Sequence, residues 1–247
     1  MSGESYSIQA QRLVSVVQLA VSCCDIEFYK AGKLAKHSLV VEAHIKTTLT
    51  NNLLQIQQAV SAYKNLCLNH DPSRIVLSGD SAGGTLVLSL LLHIATENAN
   101  DSTRSNRWRM SPPGMAVLIS PWVTLVSPKD KNTASDYLDA AHLHYYARQY
   151  AGSKIAVHDP LISPGDCKDL DLWAKASPAK GFFICYGSEE VFAPEIRDLV
   201  QLLELGDVEV DTREEKGGVH VWPVTAIFLS SKLAHGADYR VARRKDT

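Results

Sequence analysis

From residue 51 onward the chain alternates two hydrophobic patterns. In "NNLLQIQQAVSAYKNLCLNHDPS" the apolar residues Leu53, Leu54, Ile56, Ala59, Val60, Tyr63, Leu66 and Cys67 recur at helical spacing, and Asp71-Pro72 closes the segment. "RIVLSG" is a short continuous apolar run, as expected of a strand buried on both faces, and "AGGTLVLSLLLHIATE" returns to a helix. A polar stretch from Asn98 to Arg109 reads as a loop. "GMAVLIS", ended by Pro121, predicts a second buried strand, and "GFFICYG" predicts a third. Between them "ASDYLDAAHLHYYARQYAG" predicts a helix. After them comes "APEIRDLVQLLELG", a helix with Gly206 at its C-terminal end. "VEVDTRE" alternates as a more exposed strand, and a final helix is expected from about Trp222 to Ala234.

Buried strands that alternate with helices imply a mostly parallel sheet flanked by helices on both faces, so the fold class is α/β. The residues before Asn51 follow neither pattern. "DIEFYKAGKLAKHSLVVEAHIKTTLT" has no clear period and few turn residues. The apolar stretch from Leu13 to Cys24 is expected to form a buried strand or helix. Gln11, Arg12 and Gln18 flank or interrupt it, and it is shorter than the ~20 residues that span a bilayer. No stable membrane insertion is expected. The 247 residues suit one large domain. Its expected division is a divergent N-terminal segment over 1–50 and a core over 51–247.

Composition narrows the partners. Apolar residues make up 45% and charged residues 21%, the balance of a globular protein able to bury a core. A net charge of -2 supplies no basic field for nucleic acid. The five cysteines (Cys23, Cys24, Cys67, Cys167 and Cys185) are odd in number and contain no CxxC pair. That argues against a disulfide framework and a structural metal site, and a reducing, cytoplasmic setting follows.

One stretch carries chemistry. In "GDSAGG", Ser81 stands between Gly79 and Gly83, with Asp80, Ala82 and Gly84 completing the turn between a predicted strand and a predicted helix. A serine hydroxyl is a weak nucleophile. It needs exposure, a base within reach and donors for the oxyanion that forms on attack. A Gly-x-Ser-x-Gly elbow provides the exposure: strained backbone lifts the serine off the sheet edge, and the residues two before and two after it must be small. The acid and the base follow such a serine in that order, each past a later strand. "GFFICYGSEEVFAPEI" places Glu189 and Glu190 directly after a strand, and "EEKGGVHVWP" places His220 in a loop after the last one.

Taken together, "GDSAGG", "SPWVTL" after the next strand, "GSEEVFAPEI" and "GGVHVW" resemble the hormone-sensitive-lipase-like branch of the α/β-hydrolase superfamily, from about Gln55 to the C-terminus. The resemblance implies an α/β-hydrolase fold with Ser81 as nucleophile, His220 as base and the Ala82 amide as an oxyanion donor. In that branch the acid precedes a small apolar residue and then Leu or Phe, which selects Glu190, before Val191-Phe192, over Glu189. It also implies that residues 130–173 form part of a cap over the acyl pocket.

The sequence departs from that pattern upstream. The His-Gly-Gly-Gly loop that completes the family's oxyanion hole has no counterpart, because residues 1–70 hold only two separated glycines, Gly3 and Gly32. The first strands and the first half of the cap are therefore expected to be absent or altered, and the second oxyanion donor displaced or absent. The leading expectation is a serine hydrolase for carboxylic esters of small to medium apolar substrates, working through an acyl-enzyme with no cofactor. The alternative is a catalytically impaired hydrolase scaffold that binds a small molecule, or a degenerate product. The expected partner is a small-molecule ester rather than nucleic acid, and a homodimer is the assembly left open.

Overall fold

A computed structural model of the protein describes the backbone of residues 17–21, 39–43, 52–100 and 110–224, and the side chains of 55–99 and 110–224. Among the described residues six strands form one sheet: β1 (Val17–Val21), β2 (Leu39–Ala43), β3 (Ile75–Asp80), β4 (Met115–Ile119), β5 (Phe182–Gly187) and β6 (Val210–Glu215). Their order is β2-β1-β3-β4-β5-β6. The β3–β4, β4–β5 and β5–β6 pairings are parallel, whereas β1 runs antiparallel to both β2 and β3. The Leu13–Cys24 stretch thus contributes a strand, and the segment without legible period contributes a second. Both extend the sheet beyond β3.

Five helices are described: α1 (Asn52–Asn69), α2 (Ala82–Asn100), α3 (Ala140–Ala151), α4 (Leu170–Ala176) and α5 (Ala193–Leu205). α2 is apolar almost all round, so its place is inside: Leu86, Leu88, Leu90, Leu91 and Ile94 are all buried. It packs on β3 and against α1 and α4. Tyr63 of α1, Trp173 of α4, Phe182 of β5 and Phe192 are the bulkiest fully buried members of this core. Each apolar side chain taken out of water contributes about 1.5–3 kcal/mol, before conformational entropy is set against it.

Several boundaries differ from the periodic reading. The helix expected from Ala134 begins at Ala140, because Asp139 takes extended backbone angles and its carboxylate accepts the His142 N–H (2.9 Å) as an N-cap. Helix α4 was not separated from its surroundings by pattern. It is one short stretch of seven residues, capped by Asp169. α2 runs to Asn100, into the stretch read as a loop, and the rest of that stretch, 101–109, lies outside the described residues. Gly206 closes α5 with a negative φ, so the left-handed residue is the next one, Asp207 (φ 54°). Of the final helix, residues 222–224 are helical and the remainder lies outside the described residues. Among the described residues no helix is long and apolar enough to cross a membrane.

Candidate active site

The site is built at the carboxyl ends of β3, β5 and β6. Between the last residue of β3 and the first of α2, Ser81 adopts φ 51°. An L-residue in that region costs roughly 1–2 kcal/mol, so neighbours must impose it. The Ser81 N–H donates to the Ile119 carbonyl (3.0 Å) at the end of β4, and its own carbonyl accepts the Trp122 N–H (3.0 Å). A Cβ on Gly79 would lie 2.4 Å from the Gly83 carbonyl oxygen, and one on Gly84 would lie 2.6 Å from Pro121 Cβ. Sequence reasoning placed the steric demand on Gly79 and Gly83. The structure shows it at Gly79, which must clear the Gly83 carbonyl, and also at Gly84. Asp80 is the last residue of β3 and half-buried.

Two loops meet Ser81. His220 Nε2 lies 3.0 Å from Ser81 Oγ, across 139 residues of chain. His220 Nδ1 lies 3.1 Å from Glu190 Oε2. With the proton on Nδ1, His220 donates to the carboxylate and leaves Nε2 free to accept the Ser81 hydroxyl. All three are buried: Ser81 is 8% exposed, Glu190 2% and His220 3%. Burial pushes the Glu190 carboxyl up, and the hydrogen bond and charge of His220 pull it back. The Ser120 hydroxyl also pulls it down, although Glu190 Oε1 itself has no hydrogen-bond partner. Phe192 sets its ring edge-on to His220 (centroids 5.1 Å, 86°) and stacks on Trp122 (5.6 Å), so the imidazole has an apolar wall.

Of the two glutamates left open by position, Glu190 faces His220. Glu189 turns outward, its carboxylate 3.4 Å from the Ser135 hydroxyl and its N–H donating to the Gly218 carbonyl (3.0 Å). Past His220, Val221 is held at φ 53°, a rare conformation for a β-branched residue. Its N–H donates to Ser120 Oγ (2.9 Å), which fixes the exit of the His220 loop. Asp136 and Tyr137, before α3, hold the His220 backbone from the other side. Sequence reasoning found none of Ser120, Asp136, Tyr137 or Phe192 as functional. Ser120 and Phe192 lie inside quoted motifs, but nothing local marked Asp136.

The Ala82 N–H is the first of α2, where no intrahelical acceptor exists, so it is available to an oxyanion beside Ser81. The upstream position expected to lack a second donor lies outside the described residues. Among the described residues no group of histidine, cysteine and carboxylate side chains is arranged to hold a metal ion.

Ser81, His220 and Glu190 thus meet beyond the carboxyl ends of the strands, and the chain is similar to known proteins along most of its length. The sequence pattern described as the alpha/beta hydrolase fold matches residues 50–224. The chain belongs to that family. Among curated relatives, the acetyl-hydrolase of Streptomyces hygroscopicus is 31% identical over 174 residues, covering 68% of this chain and 51% of that protein. A Schizosaccharomyces pombe protein whose name includes "steryl acetyl hydrolase" is 28% identical over 152 residues, 58% of this chain and 37% of that protein. The chain therefore spans about half or less of the curated relatives it matches. Among solved structures, an esterase from the bacterial hormone-sensitive lipase family superposes with a TM-score of 0.64 at 24% identity, covering 80% of this chain and 62% of that one. At that identity the likeness establishes the α/β-hydrolase fold.

Proposed function

We propose that this α/β-hydrolase chain is a carboxylic-ester hydrolase with Ser81 as nucleophile, His220 as general base and Glu190 as the acid that orients it. The observation that carries the reading is the continuous relay from Ser81 Oγ to His220 Nε2 (3.0 Å) and from His220 Nδ1 to Glu190 Oε2 (3.1 Å). His220 takes the Ser81 proton as Oγ attacks the ester carbonyl. The imidazolium, held by Glu190, returns that proton to the departing alkoxide. Water, activated by the same imidazole, then hydrolyses the acyl-Ser81 ester. The Ala82 N–H faces the oxyanion of each tetrahedral intermediate.

The substrate class is an ester of small to medium apolar groups. The acetyl groups in the names of the two relatives favour a short acyl chain on the Ser81 side.

A second reading, a hydrolase scaffold that binds a small molecule without turning it over, is favoured by one observation: residues 1–70 hold no glycine pair for a second oxyanion donor. Loss of one such donor typically costs ~10²–10³ in rate. A fluorophosphonate probe separates the two readings. Stoichiometric labelling that disappears in Ser81→Ala, together with p-nitrophenyl acetate turnover, is expected for the hydrolase. Ligand binding by a wild-type protein that neither labels nor turns over would establish the binder.

A further inference from the structure

The Glu190 and His220 loops enter the site from different strands, and a single carboxylate ties them together. Asp136 Oδ2 accepts the N–H of Val191 (2.9 Å), the residue after Glu190. Asp136 Oδ1 accepts the N–H of His220 itself (3.2 Å) and that of Tyr137 (2.9 Å). These loop partners lie 55 and 84 residues away along the chain. The turn that carries Asp136 is braced as well. Thr133 Oγ1 accepts the Asp136 N–H (3.1 Å) and donates to the Glu189 carbonyl (2.6 Å). Tyr137 Oη donates to the His220 carbonyl (3.2 Å), so both backbone polar groups of His220 are held by adjacent residues of one segment.

We propose that Asp136 is a positioning residue for the hydrolytic reaction: its carboxylate sets the spacing between the Glu190 carboxylate and the His220 imidazole by holding the backbone of both loops. The inference rests on the Ser81–His220–Glu190 reading given above. One carboxylate that accepts from both loops, at 2.9 and 3.2 Å, opposes their separation, since a charged acceptor strengthens a backbone hydrogen bond. Its charge also opposes ionisation of Glu190. A displacement of about 1 Å in a catalytic group costs on the order of 10²-fold in rate, which makes the spacing worth holding.

The test compares wild type, Ser81→Ala, Asp136→Asn and Asp136→Glu by the rate and final extent of fluorophosphonate labelling and by p-nitrophenyl acetate kinetics. Asparagine keeps one acceptor oxygen, turns an amide N–H₂ toward a backbone N–H and loses the charge. Glutamate keeps charge and both acceptors but moves them by one methylene, so a role in charge or folding survives it and a role in spacing does not. Both variants are expected to label to full stoichiometry at rates about 10–100-fold below wild type, with kcat lowered alike and KM within about twofold. In Glu190→Gln the further change Asp136→Asn is expected to cost little more, because the pair it spaces is already disabled. Wild-type labelling rate and kcat in a folded Asp136 variant, or full additivity with Glu190→Gln, overturn the positioning role and leave the Ser81 reading intact. A wild-type protein that does not label, or that labels equally as Ser81→Ala, overturns both.

Discussion

Gly187 and Gly218 approach so closely that a Cβ on Gly187 would stand 2.1 Å from the Gly218 carbonyl oxygen. Gly187 ends β5, from which the chain turns to Glu190, and Gly218 lies two residues before His220. Their contact sets how near the two loops can come. Gly187→Ala must drive them apart, because the opposing atom is backbone and not a flexible side-chain end. The expected outcome is a stability loss of about 1–3 kcal/mol and a kcat/KM at least ~10²-fold lower. Urea unfolding and p-nitrophenyl acetate kinetics check the two halves separately, and unchanged kinetics would contradict the steric account.

Glu190 is expected to trade stability for chemistry. Burial raises its carboxyl above the ordinary carboxylate range, ahead of the lowering by His220. A group raised in the folded state contributes its stabilisation fully below its unfolded pKa and loses it as pH climbs through the folded one. Glu190→Gln is neutral at every pH and escapes that loss. Its melting temperature is therefore expected to equal or exceed that of wild type at pH 7–8, with the advantage fading in acid. Activity moves the other way, falling about 10²–10⁴-fold. Thermal melts across pH 4–8 check the sign; a wild type that is clearly more stable at neutral pH would contradict it.

Phe192 ties the core to the imidazole. It is fully buried, stacked on Trp122 and edge-on to His220. Phe192→Leu removes both ring contacts and leaves a small void. The expected cost is about 1–3 kcal/mol in stability, with kcat falling and KM nearly unchanged. Chemical denaturation paired with steady-state kinetics reads both effects.

Asp207 provides a control far from the chemistry. It is exposed, holds φ 54° after α5, and precedes β6 at the sheet edge opposite the carboxyl ends. Glycine adopts that conformation without a Cβ penalty, although it also loosens the unfolded chain. Asp207→Gly is expected to add about 0.5–1 kcal/mol, which corresponds to roughly 1–4 °C in melting temperature for a chain of this size, with kcat/KM unchanged. A lower melting temperature would contradict the strain assigned to this position.

The elements legible in the sequence were those whose signal is local. β3, β4 and β5 read as strands because continuous apolar runs ended at Gly or Pro, and the turn at Ser81 read as an elbow because the strand before it and the helix after it were both clear. The start of α3 was misplaced by six residues, from Ala134 to Ala140. Asp136, whose side chain holds a partner 55 residues away, sits in the stretch that periodicity assigns to the helix, and Thr133, with a partner 56 residues away, lies just before it. β1 lies in the Leu13–Cys24 stretch, which pattern alone left as strand or helix, and β2 showed no period, because sheet pairing rather than a strong pattern of their own defines them.

Residue order along the chain was enough to establish an α/β fold, a tight strand-to-helix turn at Ser81 and the order of candidate partners behind it, because spacing, side-chain size and turn chemistry act over a few neighbours. Folding in three dimensions settled what depends on distant neighbours. The β3-β4-β5-β6 order brings Ser81 and His220 within 3.0 Å across 139 residues. The turn beyond Gly187 points Glu190 rather than Glu189 at the imidazole, and burial of that carboxylate raises its pKa. Those outcomes are set by through-space contact and by exclusion of water, which exist only once the loops are packed together.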